Sequence, residues 1–263
     1  MLGAALNRTL CTTSQRFGGQ GDNGWTLCMD KSATTRADGQ CVIYSFGIGF
    51  NAGFDLDVAK RMPWCELFMF DPTPAVVTVL SGDKADWSAL HADLRSKRPT
   101  TARMVERLRA QTRGLLANGT ATPTPGVLSR PNVRFLPLGL AARDRNATMP
   151  TSWWTLQSRA AAAPRRVSFH SLKTVVAQVG SRPSVIKLDI EGAEKEPGLL
   201  RALLHSGAAQ LLLELHGVGG SRLLAPDLLA AAAAAGYLPW RDEKASFASS
   251  NSIHYLVKTD IRA

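Results

Sequence analysis

The sequence predicts an α/β fold in which a mostly parallel sheet carries helices on both faces. Two observations lead there. From Cys41 onward, short runs rich in β-branched and aromatic residues alternate with stretches of helical periodicity, the rhythm of βαβ units. Several of those runs end in loops of glycine or carboxylate, the place where such sheets bind ligands. A length of 263 residues suits one large domain with a substantial core.

The elements follow in order. Residues 1–40 read as an irregular, Gly-rich extension (FGGQGDNGW) packed on a domain that spans 41–263. CVIYSF is the first strand of that domain and GIGFNAG the turn after it. FDLDVAKRM has Phe54, Val58 and Met62 on one helical face. CELFMF is a second strand, ending in DPTP. An insertion at about 75–130 begins helically, with stripes at Trp87, Leu90 and Leu94 and then at Met104 and Leu108, and closes in NGTATPTPG. VRFLPLGL is a third strand whose Pro137 belongs at an edge or a strand end. Residues 141–166 show little pattern and read as a loop. SLKTVVAQVG is a helix with a glycine stop, SVIKLDI a strand, LLRALLHSG a helix ending at Gly207, and QLLLELHG another strand. APDLLAAAAAAGY is a helix, its alanine run being a helix former and not a repeat. SIHYLVK supplies one or two final strands.

The net charge of +10 is concentrated. Between His91 and His170 stand fourteen Arg and Lys against three Asp and Glu, so the rest of the chain is close to neutral. Such a stretch is either a solvated, Arg-biased face or the footprint of an anionic partner. Nucleic acid is not favoured, because no aromatic residues interleave with the charges between 88 and 134. No apolar run reaches the roughly 20 residues of a membrane span, and MLGAALNRTL is too short for a signal-peptide core with its flanks. The four cysteines, Cys11, Cys28, Cys41 and Cys65, form no CxxC pair that would hold zinc. An even cysteine count beside three N-x-T sequons, at Asn7, Asn118 and Asn146, points to a disulfide-bonded glycoprotein of the secretory pathway, with the cytoplasm as the alternative.

Three loops carry the chemistry. In SFGIG, Gly47 and Gly49 let the backbone approach a ligand closely, although Gly53 comes too late for a strict GxGxxG. Asp71, 24 residues beyond Gly47 at the end of the next strand, stands where nucleotide-binding folds hold ribose hydroxyls. In VIKLDIEGAEKE, Asp189 ends a buried strand and should face the crevice, whereas Glu196 suits a helix start before Pro197. Glu214 and His216 lie two apart on the neighbouring strand, hence on one face, and can converge with Asp189. That set suits a general base, a substrate clamp or an oxygen/nitrogen metal site; a single histidine is a weak metal signal, and no metal is assigned.

Taken together, VIYSFGIG, ELFMFDPTP, FLPLGLA, VIKLDIEGAE and LLLELHG, in that order, resemble the FkbM-type and eukaryotic methyltransferase-like branch of S-adenosylmethionine-dependent methyltransferases. RFGGQGDNGWTLC is similar to the leader segment of the eukaryotic branch. The resemblance implies a class I methyltransferase fold, Rossmann-like, with a seven-stranded sheet whose last strand is antiparallel. It implies that Ser45, Phe46, Gly47 and Gly49 run under the methionine and ribose of S-adenosyl-L-methionine. Asp71 with Pro72 would take the ribose hydroxyls, and Leu138 and Gly139 would lie near the adenine. Asp189, Glu214 and His216 would form the catalytic group, with Glu191 and Glu194 toward the acceptor. The chain departs from the family at Ser45, where an acid is usual, and at Lys195-Glu196-Pro197, where an apolar helix usually continues.

Methyl transfer from a sulfonium needs an in-line nucleophile and, for a hydroxyl, a base. Asp189 and His216 are the candidates. The motif of amino-methylating enzymes, N/D-P-P-Y/F, is absent, so O-methylation of a small or glycan hydroxyl is expected, with an acidic acceptor favoured by the basic stretch. The rival expectations are an inactive methyltransferase fold that binds a partner through its basic insertion, an RNA methyltransferase, and an NAD-dependent oxidoreductase.

Overall fold

The computed structural model describes residues 10–19, 24–81, 84–97, 99–113, 131–149, 165–216, 226–244 and 252–259. Two strands, β1 (Ser14–Gly18) and β2 (Gly24–Cys28), pair antiparallel as a hairpin, and a short helix α1 (Lys31–Thr34) follows. The alternation predicted from Cys41 then appears: β3 (Val42–Phe46), α2 (Gly53–Arg61), β4 (Glu66–Phe70), the helices α3 (Pro74–Ser81), α4 (Lys84–Lys97) and α5 (Pro99–Thr112), and β5 (Val133–Leu136). Next come β6 (Leu138–Leu140), β7 (Arg145–Met149), β8 (Arg165–His170), α6 (Leu172–Val179) and β9 (Val185–Leu188). The chain continues through α7 (Leu199–Leu204), β10 (Gln210–Leu215), α8 (Pro226–Ala234), β11 (Tyr237–Lys244) and β12 (Ser252–Lys258).

Seven strands form one sheet in the order β11-β12-β10-β9-β3-β4-β5. β3, β4, β5, β9 and β10 run parallel. β12, the last of the seven in the chain, enters antiparallel between β10 and β11. This is the class I methyltransferase arrangement. The chain builds outward from β3 to β5, then returns to the other side of β3 with β9, so the switch point lies between β3 and β9. In such sheets the crevice opens at the carboxyl ends of the two strands on either side of that point.

Both sheet faces are covered, as the continuous apolar strands require. Val42, Tyr44, Phe46, Ile186, Leu188, Leu211, Leu213 and Leu215 pack under α6, α7 and α8. The opposite face, with Ile43, Val185 and Leu212, packs against the hairpin and against α2, α3 and α5. Ser45, Lys187, Asp189, Glu214 and His216 alternate with the first set, so the polar residues of three strands share the face on which the hairpin sits.

The N-terminal segment is more ordered than its composition predicts. Gly-rich sequence carries no periodicity, but here the hairpin is fixed by tertiary bonds. Cys28 N–H donates to Gln210 Oε1 at 2.9 Å and Gln210 Nε2 returns a bond to the Cys28 carbonyl at 3.2 Å. Gly18 N–H donates to Asp57 at 2.9 Å. Disulfides join Cys11 to Cys28 and Cys41 to Cys65.

Three other expectations change. VRFLPLGL is two strands in two sheets, because Pro137 cannot donate to a ladder: β5 ends the large sheet, while β6 joins β8 and β7 in a three-stranded sheet. The stretch 141–166, predicted as a loop, contains all of β7 and the first residues of β8; β7 exposes most of its residues, which hides the period-2 signal. The helix expected near Glu196 begins at Leu199, preceded by a single 3₁₀ turn at Ala193–Lys195 and by Gly198 in the left-handed region. Pro197 therefore does not start it. The sequons at Asn7 and Asn118 and the NGTATPTPG segment lie outside the described residues. Among the described residues, no helix is long and apolar enough to cross a membrane.

Candidate active site at the strand switch point

The glycine loop after β3 is held by a carboxylate. Asp71, one residue past β4, accepts from Ile48 N–H at 2.9 Å and Gly49 N–H at 2.8 Å with one oxygen, and from Thr73 N–H at 2.8 Å with the other. Gly47 and Gly49 both have positive φ, 78° and 56°, which a side chain would resist. Burial pushes the Asp71 carboxyl above its ordinary value, and the bonds from Thr73, Gly49 and Ile48 oppose the rise.

Beneath the loop lies a buried lysine that sequence reasoning passed over as an ordinary strand residue. Lys187, 3% exposed, donates to the carbonyls of Phe46 and Gly47 and stands 3.8 Å from Asp189 Oδ2. Its ammonium lies 5.2 Å from the centre of the Trp25 ring, so the hairpin closes this polar layer. Asp55 of α2, also buried, has its carboxyl pushed up by burial, with the charge of Lys187 pulling it back.

The cleft at the switch point is lined by Gly47, Gly49, Asp71, Pro72, Gly139 and Asp189, and by Glu191 beyond them. The side chains of Ser45, Phe46 and Leu138 are buried in the core and do not line it. Two lining residues, Met149 of β7 and Phe169 of β8, escaped the sequence reading. The Phe169 ring lies directly over Gly139: a Cβ there would come within 2.4 Å of it. The open space amounts to about 70 Å³, small beside the roughly 300 Å³ or more of ordinary ligand pockets.

The acidic loop divides its carboxylates among separate tasks. Glu196 pairs with Arg145 of β7 at 2.7 Å, which ties the basic stretch to this loop. Glu194 is 2% exposed and accepts from the main-chain N–H of His216 at 2.7 Å, from Gly192 N–H at 2.8 Å, and meets His216 Nδ1 at 3.1 Å. Its side chain is thus committed inward and not toward an acceptor. Glu191 holds a left-handed backbone, φ 55°, and its carboxyl is pushed up by burial and by Asp189.

Asp189, Glu214 and His216 do converge. From His216 Nε2 the nearest oxygens of Glu191, Glu214 and Asp189 lie at 3.5, 3.7 and 3.8 Å. Burial disfavours the imidazolium, but the hydrogen bond and charge of Glu194, with Glu214 and Asp189, raise its pKa to about 9. With nothing else bound, His216 is therefore a cation near neutrality and not a ready base.

A family model described as "Methyltransferase domain" matches residues 7–87. That span runs from the hairpin through β3, α2 and β4, and so contains Gly47, Gly49 and Asp71. Among solved structures, the antibiotic-resistance methyltransferase Kmr aligns over 93% of this chain and 100% of its own, at 15% identity and a TM-score of 0.38. That likeness is too low to bear on fold or activity. None of the curated proteins compared with the chain matches it.

Proposed function

We propose that the chain is an S-adenosylmethionine-dependent methyltransferase of the FkbM-type, eukaryotic methyltransferase-like branch, acting on the oxygen of a small or glycan hydroxyl. The observation that carries this reading is Asp71 at the carboxyl end of β4, bonded to both Ile48 and Gly49 of the glycine loop beside the switch point. The residues present fit the donor. Gly47 and Gly49 admit close backbone approach, Asp71 holds the glycine loop at the cleft wall, where a hydroxyl pair would add to its loop bonds, and Leu140, Ile190 and Phe169 give apolar walls. Asp189 and Glu191 set negative charge on the same cleft, which suits a sulfonium cation.

The donor, when bound, supplies an electrophilic methyl group. Asp71 positions, Lys187 holds the carbonyls of the glycine loop in place, and Asp189 is the carboxylate placed to orient an acceptor hydroxyl and take its proton. The two disulfides support the oxidising setting of the secretory pathway, where glycan hydroxyls are at hand. The basic stretch between His91 and His170, with Arg143 and Arg145 exposed, favours an acidic acceptor.

Calorimetric titration of the purified chain with S-adenosylmethionine tests the reading. Saturable one-to-one binding that competes with S-adenosylhomocysteine is expected. The absence of binding at millimolar donor would remove the enzyme and leave the rival that the small cleft favours, an inactive fold that binds a partner through its basic insertion.

A further inference from the structure

The outer side of α5 carries positive charge that no acid in the described structure neutralises. Arg103 and Arg107, four apart and so on one face of the helix, are both exposed, as are Arg95 of α4 and Arg113 just past the end of α5. Among the described residues none of these four has a carboxylate partner, whereas Arg36, Arg61 and Arg145 stand against Asp38, Asp57 and Glu196. Glu106, the one acid of α5, is taken by His91 of α4. We propose that this arginine face is a binding surface for an acidic polysaccharide.

The face is fixed before any partner arrives. Ala102, Val105, Leu108 and Thr112 bury the opposite side of α5. The Arg109 guanidinium lies 4.2 Å from the centre of the Trp87 ring, and Trp87 stacks on His91 at 5.0 Å, so α4 and α5 are held together near their surface as well. Arginines on a scaffold of this kind give up less freedom on binding than the same residues in a loose tail, and each presents a planar fork to an oxyanion.

The surroundings choose among polyanions. Disulfides persist in oxidising compartments, whereas anionic lipids face the cytoplasm. Single-stranded nucleic acid is held by stacking its bases on open aromatic rings. The aromatic ring that α4 and α5 contribute besides His91 is Trp87, and Arg109 and His91 engage it. What remains on offer is charge without a base platform, which suits the sulfate and carboxylate groups of a glycan chain.

The place of α5 ties this surface to the cleft. Gln111 accepts from Ala52 N–H at 3.3 Å and donates to Asn51 Oδ1 at 3.1 Å, so the carboxyl end of the helix is anchored just beyond the glycine loop. From Arg103 to Thr112 the helix rises about 14 Å toward that anchor. A glycan lying along the arginines is thereby led to the donor cleft. Presenting one of its hydroxyls there rests on the methyl-transfer reading; binding of the glycan does not.

Fluorescence anisotropy of a fluorescein-labelled heparin oligosaccharide, titrated with the donor-free, disulfide-intact full chain, tests the proposal. Saturable binding that weakens steeply with added NaCl is expected. Arg103→Ala combined with Arg107→Ala should weaken it about tenfold. Lys173→Ala combined with Arg201→Ala removes the same charge from exposed positions of α6 and α7, and should change it by no more than about twofold. Alanine suits an exposed helix position, and circular dichroism checks that each variant is folded. Failure of the wild type to bind at about 0.1 mM in low salt would overturn the proposal, as would equal losses in the two double variants. Tighter binding of single-stranded RNA or of phosphatidylserine vesicles than of the oligosaccharide would overturn it too, and this comparison needs no variant. Because no donor is present, failure here is separate from failure to bind S-adenosylmethionine.

Discussion

A Cβ placed on Gly47 would lie 1.5 Å from the carbonyl oxygen of Asp189. The two loops that flank the switch point therefore meet main chain against main chain, and residue 47, with φ 78°, favours glycine. Gly47→Ala is expected to push the loops apart. Stability should fall by about 2 kcal/mol, and donor binding by more than tenfold, read by denaturant unfolding and calorimetry. Unchanged donor binding would show that this contact does not shape the cofactor site.

Asp71→Asn keeps the size of the side chain but removes a charge that accepts three main-chain N–H groups. Hydrogen bonds to charged groups contribute about 1.5–3 kcal/mol each, so a loss of about 2–3 kcal/mol is expected even without donor. S-adenosylmethionine affinity should fall at least tenfold. A stability loss with affinity intact would confine Asp71 to organising the loop.

Lys187 and Asp55 should be coupled. Lys187→Met strips the donor from the Gly47 carbonyl and the positive charge that eases ionisation of Asp55. A cost of about 2–4 kcal/mol is expected, and adding Asp55→Asn should recover part of it, with a coupling of at least about 1 kcal/mol in the double-mutant cycle. Additive losses would refute the coupling.

Asp55 also gives a pH signature. Its folded carboxyl holds the proton more tightly than in the unfolded chain, where the value is near 4. Its contribution to stability is therefore full below that value and declines as pH rises through the folded one. Asp55→Asn should flatten this decline in urea unfolding measured from pH 4 to 8; an unaltered slope would assign the pH dependence to other groups.

The Cys41–Cys65 disulfide closes a 24-residue separation ahead of β3 and β4. Paired Cys41→Ser and Cys65→Ser substitutions should cost about 3 kcal/mol, visible as a lower urea midpoint, and reductant should lower the wild-type midpoint further, because it opens Cys11–Cys28 as well.

Much of this architecture is legible in the chain because its polar residues interrupt apolar strands at their carboxyl ends. Asp71, Asp189, Glu214 and His216 each announce a strand end, and strand ends are where α/β sheets gather chemistry. The hidden parts have physical reasons. β7 (RNATM) exposes most of its residues and β8 (RRVSFH) opens on two adjacent arginines, so no long hydrophobic period marks them. The inward turn of Glu194 depends on a 3₁₀ turn set by Gly192, and no spacing rule foretells it. Lys187 sits in a strand as a lone charge; only the fold shows that its ammonium serves the glycine loop.

The bonds of the hairpin to the far end of the chain set an order of events. Cys28 is paired with Gln210 across 182 positions, and Thr26 N–H with the Tyr255 hydroxyl across 229. During synthesis the first strands and their cysteines emerge well before the residues that will cover them. One face of β3 waits, apolar and open, until α6 and α7 arrive, and one edge of it until β9 does. Contacts of such sequence separation form slowly, and exposed apolar strands aggregate while they wait. The two early disulfides shorten the chain that must be searched, so oxidation ahead of completion should raise the yield of folded protein over oxidation afterwards.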